Sequence, residues 1–323
     1  MIDYSFIVPI YNDGYLAEDF CEEYLKVFQE YLGTSEIASR VELIFVDDGS
    51  RDNSAETLER LPARFPFVRI IELSRNFGQH IALSCGYRHA TGRFVGMLNV
   101  DMQEPPDQIP LLLRHIETTG CDIVFGLRSR RAGRLTERLS SIGFAYLLNK
   151  LTGYDVPLNV ATLRVMSRRF LDAYNSLAER SRYLPGLEGW LGFRRAYLEI
   201  VHRERLRGQS TYNFRRRLMM ATDAIISFSD LPLKISIFFG FGVVLLGFLL
   251  TLALIVQKIF FAEVQLGYTS TISAIVFFSG VQLFVTGVTG LYVGRILREA
   301  QQRPLYVIRH TVNLPVSDIR KEI

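Results

Sequence analysis

Two apolar runs, Ile235–Val256 and Ile272–Gly294, constrain this chain more than any other feature. Neither contains Asp, Glu, Lys or Arg. At about 1.5 Å of rise per helical residue, each can cross a hydrocarbon core of roughly 30 Å. The residues ahead of them read as a water-soluble α/β domain. The expected organisation is therefore a head over residues 1–212, an interfacial helix and linker over 213–232, two transmembrane helices over 233–297 and a tail over 298–323. Such a chain suits one soluble ligand and one that resides in a bilayer.

Charge orients the anchor. Arg215, Arg216 and Arg217 precede the first run, and Arg295, Arg298, Arg303 and Arg309 follow the second, whereas Lys258 and Glu263 are the only charges between them. The positive-inside rule then places both termini in the cytoplasm and the short loop outside. Phe214–Phe228 mixes those arginines with Leu218, Met219, Ile225 and Ile226, a pattern expected of a helix lying in the headgroup layer. The net charge of +4 is modest and local, which argues against nucleic acid as a partner. Cys21, Cys85 and Cys121 lack metal-ligand spacing and fit reduced, buried thiols. The chain enters a strand-like run at Tyr4, so no cleavable signal peptide is expected.

The head alternates strand-like and helix-like segments. Tyr4–Ile10, Val41–Val46, Val68–Leu73, Arg93–Asn99 and Asp122–Gly126 are short and rich in β-branched or aromatic residues. Leu16–Tyr31, Asn53–Arg64, Gln79–Ala90 and Asp107–Thr118 are longer and amphipathic. This alternation predicts an α/β fold with a doubly wound, mostly parallel sheet. Ligands of such sheets bind beyond the carboxyl ends of the strands.

The residues there can carry chemistry. Pro9, Tyr11 and Asp13 follow the first strand, and Asp47 and Asp48 end the second. Their carboxylates can accept from a nucleotide's base and ribose, although a polar turn with Ser50, Asp52 and Asn53 as helix caps explains the same residues. Asn99, Asp101 and Gln103 end the fourth strand. Alternation along an extended segment would point all three to one side, where hard oxygens could hold Mg²⁺ or Mn²⁺. A solvated loop closed by Pro105 and Pro106 is the alternative. Arg128, Arg130, Arg131 and Arg134 could grip phosphate bidentately or form a basic face near lipid. Gly-x-Gly-x-x-Gly, a Walker phosphate loop, His-x-x-x-His and Cys-x-x-Cys are all missing, which removes the fingerprints of dinucleotide dehydrogenases, P-loop hydrolases and common metal sites.

In order, the chain shows Pro9-x-Tyr11-Asn12, Asp47-Asp48-Gly49-Ser50-x-Asp52 and Ser74-Arg75-Asn76-Phe77-Gly78-Gln79-His80. Then come Asp101-Met102-Gln103-Glu104-Pro105-Pro106, the arginine loop, Leu163-Arg164 and Gly208-Gln209-Ser210-Thr211-Tyr212. Together these resemble the family 2 glycosyltransferases with a GT-A fold, of the polyprenyl-phosphate type. The two-helix anchor matches the bacterial members. The resemblance implies inverting transfer of a sugar from a nucleotide sugar to a polyprenyl phosphate, expected to be undecaprenyl phosphate. It places the enzyme in a bacterial plasma membrane with its catalytic domain cytoplasmic. The expected partners are the nucleotide sugar, the polyprenyl phosphate, the lipid bilayer and further copies of the chain.

Carried onto this sequence, the resemblance assigns the metal to Asn99, Asp101 and Gln103, and catalysis to Asp101, Asn159 and Arg164. Donor binding falls to Pro9, Tyr11, Asp13, Asp47, Asp48 and Gly78, and the acceptor phosphate to Arg128 and Arg131. The chain departs from the family at Asn99, Asn159 and Thr162, which stand where acids are usual, and at Asp13, where Glu is usual. Two alternatives stay open: a catalytically silent subunit that binds nucleotide sugar, and a transferase using another lipid-linked acceptor.

Overall fold

The computed structural model describes residues 2–128, 159–180, 182–203, 231–260 and 267–314. Strands β1 (Tyr4–Ile10), β2 (Val41–Asp47), β3 (Val68–Leu73) and β4 (Phe94–Met97) alternate with helices α1 (Ala17–Leu32), α2 (Ser54–Arg64) and α3 (Gln79–His89). β1 and β2 are buried along nearly their whole length, as strands covered on both faces must be. Helix α1 turns Ala17, Phe20, Cys21, Tyr24 and Phe28 inward at helical spacing. The Tyr24 ring packs 4.7 Å from Phe28 and 6.0 Å from Phe6 of β1. Helix α4 (Ile109–Thr119) carries Pro110 in its first turn, where no amide bond is lost, and buries Ile109, Leu112, Leu113 and Ile116.

The sheet has eight strands in the order β7-β5-β6-β4-β1-β2-β3-β8, completed by β5 (Ile123–Arg128), β6 (Val160–Ser167), β7 (Arg195–Ile200) and β8 (Ile308–Val312). It is mixed: among the described residues four pairings are parallel, as expected, and three are antiparallel. β1 is parallel to β2 and β4, β2 to β3, and β5 to β7. β6 runs antiparallel between β4 and β5, with Arg164 opposite Met97 on one side and Phe125 on the other. Helices α5 (Arg168–Asn175) and α6 (Leu184–Trp190) follow β6, with the Ser167 side chain capping α5 through Phe170 N.

Residues 308–312, expected within a C-terminal tail, instead form the edge strand β8, antiparallel to β3. Ser74 N donates to Val307 O at 2.8 Å, and Arg309 Nη1 lies 2.8 Å from Glu72. Asn313 Nδ2 donates to the carbonyls of Pro66 (3.1 Å) and Val68 (2.9 Å). The chain accordingly divides into two units: Met1–Asn213 together with Pro304–Ile323, and Phe214–Arg303.

The second unit contains the long helices α7 (Leu231–Phe260) and α8 (Tyr268–Ala300). Gly247 on α7 lies against the ring of Phe278 on α8, where an added Cβ would sit 3.4 Å from Cζ. Phe238, Phe241, Leu283 and Ile296 are exposed. Among the described residues one stretch, Phe277–Ala300, is long and apolar enough to cross a membrane by length and composition, and Leu233–Leu249 is a shorter apolar segment. The Phe214–Phe228 helix, Arg131 with its basic loop, and Gly208–Tyr212 lie outside the described residues.

His80, in the first turn of α3, meets the ring of Tyr183 edge-on at 6.0 Å. Its Nδ1 is buried without a hydrogen-bond partner among the described residues. Burial, with the positive charge of Arg164, pushes its pKa down to about 4. The unfolded chain therefore takes up this proton near pH 6.5, well before the folded one does. The stability contributed by neutral His80 is present above that pH and lost as pH falls toward 4. Thermal melts of the purified protein between pH 7.5 and 4.5 should show a drop that His80→Gln makes shallower.

Candidate active site

The carboxyl ends of β1, β2, β4 and β5 converge on one rim, and each chain segment there is held by specific bonds. After β1, Asn12 adopts φ 60°, a conformation that Asn tolerates better than most residues. Its N–H donates to Ser50 Oγ (2.9 Å), and its Oδ1 accepts from Arg51 N (2.9 Å). This ties the Pro9–Asp13 segment to the turn after β2. Tyr11 is exposed, while Pro9 and Asp13 are half-buried.

Asp47 and Asp48 are both buried. Asp47 Oδ1 accepts from Ser50 N (3.0 Å) and Ser50 Oγ (2.5 Å), whereas its Oδ2 is buried with no hydrogen-bond partner among the described residues. Asp48 uses both oxygens on backbone: Oδ1 accepts from Phe77 N at 2.7 Å and Oδ2 from Gly78 N at 2.8 Å. Burial raises both carboxyls above the ordinary range, and these hydrogen bonds oppose the shift. The neighbouring carboxylates thus differ in role. Asp48 anchors the Ser74–Gly78 segment, and Asp47 keeps an unused acceptor. Gly49 makes the junction possible: it has φ 65°, and a Cβ there would lie 2.4 Å from the carbonyl carbon of Arg75.

The loop after β4 differs from its expected form. The strand ends at Met97, and residues 100–101 form a turn. Met102 sits at φ 53°, a costly conformation for a residue with a Cβ. The expected alternation of Asn99, Asp101 and Gln103 along an extended segment therefore does not occur. Asn99 Oδ1 accepts from Gln79 Nε2 (3.2 Å), and its Nδ2 donates to Thr162 Oγ1 (3.4 Å). Asp101 is buried, and its Oδ1 accepts from Gln103 N at 3.3 Å. No group of three His, Cys, Asp or Glu residues suited to a metal forms among the described residues.

Glu104 joins this loop to β5 and β6. It is 3 % exposed. Its oxygens accept from Thr162 N (2.9 Å) and Leu163 N (2.5 Å), and Oε1 also meets Arg128 Nη2 at 3.0 Å. Asn159 lies beside Arg128: Arg128 N donates to Asn159 O (2.9 Å), and Asn159 Nδ2 donates to Arg128 O (3.2 Å). Arg164 is buried and paired with Glu188 of α6, its Nη1 lying 2.7 and 2.5 Å from the two carboxylate oxygens. Burial pushes the Glu188 pKa up, and Arg164 pulls it back. Arg164 also stacks its guanidinium over Phe125 at 5.3 Å.

Sequence reasoning gives no role to Gln79, Glu104, Glu188 or His202. His202 lies next to Arg203, whose N–H donates to Gln103 O at 2.8 Å. Its Nδ1 is buried without a partner among the described residues. Burial and then Arg128 lower its pKa, while Glu104 and Asp101 oppose them, so the ring stands in the field of all three side chains. No local pattern announces this residue, since β7 alone carries it to the loop. The rim therefore combines hard oxygens with nitrogen donors, a set able to hold a phosphorylated ligand and a hard cation.

The glycosyl transferase family 2 model matches residues 5–174. The uncharacterized glycosyltransferase YkcC of Bacillus subtilis (strain 168) is 34% identical over 316 residues, covering 97% of this chain and 95% of that one. A bactoprenol glucosyl transferase of Shigella phage SfX is 34% identical over 309 residues, covering 94% of this chain and 98% of its own. Among solved structures, glucosyl-3-phosphoglycerate synthase from Mycobacterium tuberculosis, in complex with Mn²⁺, uridine diphosphate and glucosyl-3-phosphoglycerate, is 18% identical with a TM-score of 0.44, covering 70% of this chain and 78% of that one. With the family model spanning most of the head and relatives aligned from end to end, the chain belongs to glycosyl transferase family 2 and is a glycosyltransferase.

Proposed function

We propose that this enzyme transfers a sugar, with inversion, from a nucleotide sugar to a polyprenyl phosphate, specifically undecaprenyl phosphate, at the cytoplasmic face of a bacterial plasma membrane. One observation carries the reading: the Asp101 loop and Arg128 are joined through Glu104 at the carboxyl ends of β4 and β5. An oxygen-rich loop and a cationic donor thus share one rim, as two phosphorylated substrates require. The phage relative's printed name supports the acceptor class.

Hard oxygens suit Mg²⁺ or Mn²⁺: the Asp101 carboxylate and the nearby Gln103 amide oxygen would hold the cation, and Asn99 Oδ1 would join them only on releasing Gln79 Nε2. When bound, the cation neutralises charge that gathers on the leaving diphosphate. Asp47 Oδ2 is the acceptor for a donor hydroxyl or base N–H, with Pro9, Tyr11, Asp13 and Gly78 around it and Asp48 fixing the loop. Arg128, with Arg131, holds the lipid phosphate by charge-assisted hydrogen bonds. A phosphate oxygen attacks the anomeric carbon as the bond to the diphosphate breaks on the opposite face, releasing the nucleoside diphosphate. The nucleophile is already ionised, so no general base is required. In this reading Asn159 and Arg164 support the site from behind the reacting atoms.

The detergent-purified protein, given undecaprenyl phosphate and a panel of nucleotide sugars with and without Mn²⁺, should yield a glycosylated lipid by mass spectrometry. No product with any donor would sink the reading. Asp101→Ala should abolish divalent-ion-dependent nucleoside diphosphate binding in calorimetry without lowering Tm. Asn99→Asp should tighten that binding about tenfold, because it adds a negative charge beside the cation. Both long helices span the membrane in this reading, with the 257–271 loop outside. A cysteine at position 265, in a chain lacking Cys21, Cys85 and Cys121, should react with an impermeant reagent on intact cells. Reaction only after rupture would reverse the orientation.

A further inference from the structure

We infer that Glu104 is a positioning residue that presets Arg128 for the acceptor phosphate, an inference that rests on the acceptor role proposed for that arginine. A carboxylate with almost no contact with water needs both hydrogen-bond donors and a countercharge. The amides of Thr162 and Leu163 supply donors, and Arg128 supplies the charge. Arg128 gains from the pairing in turn. Its Nε (3.3 Å) and Nη2 (3.0 Å) both point to Glu104 Oε1, while no bond to Nη1 is found among the described residues. One edge of the guanidinium is thus fixed and the other is left to donate to an anion. The side chain remains about one-third exposed, accessible to such a ligand.

The backbone is held as well. The reciprocal bonds between Arg128 and Asn159 close the start of β6 onto the end of β5, so the arginine is constrained at both its ends. A long, flexible side chain gripped this way loses less rotamer freedom when a phosphate arrives. Glu104 therefore acts on the acceptor through Arg128, and it does so without touching the acceptor itself.

A double-mutant cycle read by separate KM values tests this. Glu104→Gln should raise KM for undecaprenyl phosphate about five- to tenfold and leave KM for the nucleotide sugar within about twofold. In an Arg128→Ala background the same substitution should change acceptor KM no further, since the arginine it acts through is gone. Asn159→Ala, at an exposed position, should raise acceptor KM in the same direction. It runs through the same cycle with Arg128→Ala if Glu104→Gln lowers Tm sharply. Additive effects, an unchanged acceptor KM, or equal rises in both KM values would overturn the inference while the wild type stayed active. A wild type that makes no lipid product would instead overturn the proposed function.

Discussion

The whole rim depends on one backbone pairing, that of β6 with β4. Because β6 runs against its two neighbours, its first residues arrive where β4 and β5 end. Thr162 is thereby placed beside Asn99, and Asn159 beside Arg128. A parallel β6 would deliver Met166 and Ser167 there and carry Asn159 to the far side of the sheet. Side chains from segments distant in sequence meet because a ladder of main-chain hydrogen bonds sets their register, and a slip of one residue would turn every one of them to the opposite face.

That register changes the meaning of the departures from the family pattern. Asn99 and Thr162 are in contact, so two of the three positions where the resemblance leads one to expect acids belong to one local change. Two carboxylates at that separation would repel each other unless a proton or a cation lay between them. An amide and a hydroxyl satisfy each other directly. The carboxylates beside them, Asp101 and Glu104, each accept backbone N–H groups, so their polar demand is met within the fold. Arg164 and Glu188 follow the same logic more deeply in the head: each is a charge that burial would forbid without the other.

Much of the head is legible in its sequence because its information is local. β1 to β3 coincide closely with runs of β-branched and aromatic residues, and α1 and α4 with apolar stripes at helical spacing. The motifs at the strand ends are legible for the same reason: a doubly wound pattern tells where its carboxyl ends lie. Pairings across the chain leave no such trace. The antiparallel entry of β6, the hold of Glu104 on Arg128 and the approach of His202 all join residues whose own neighbours carry no sign of the contact. The loop after β4 misled in another way. Alternation is a property of extended backbone, and Met102, with positive φ, breaks it between Asp101 and Gln103.

The edge strand β8 has a consequence for how the molecule is made. Its partner β3 ends at Leu73, but β8 begins only at Ile308, after both long helices. At about 5–20 residues per second, a ribosome takes roughly 10–50 seconds to travel between them. Throughout that interval β3 presents an open edge, the kind of surface on which strands from other chains template. The sheet of the head can therefore be finished only after both long helices have left the ribosome, so its last strand is added at the very end of synthesis.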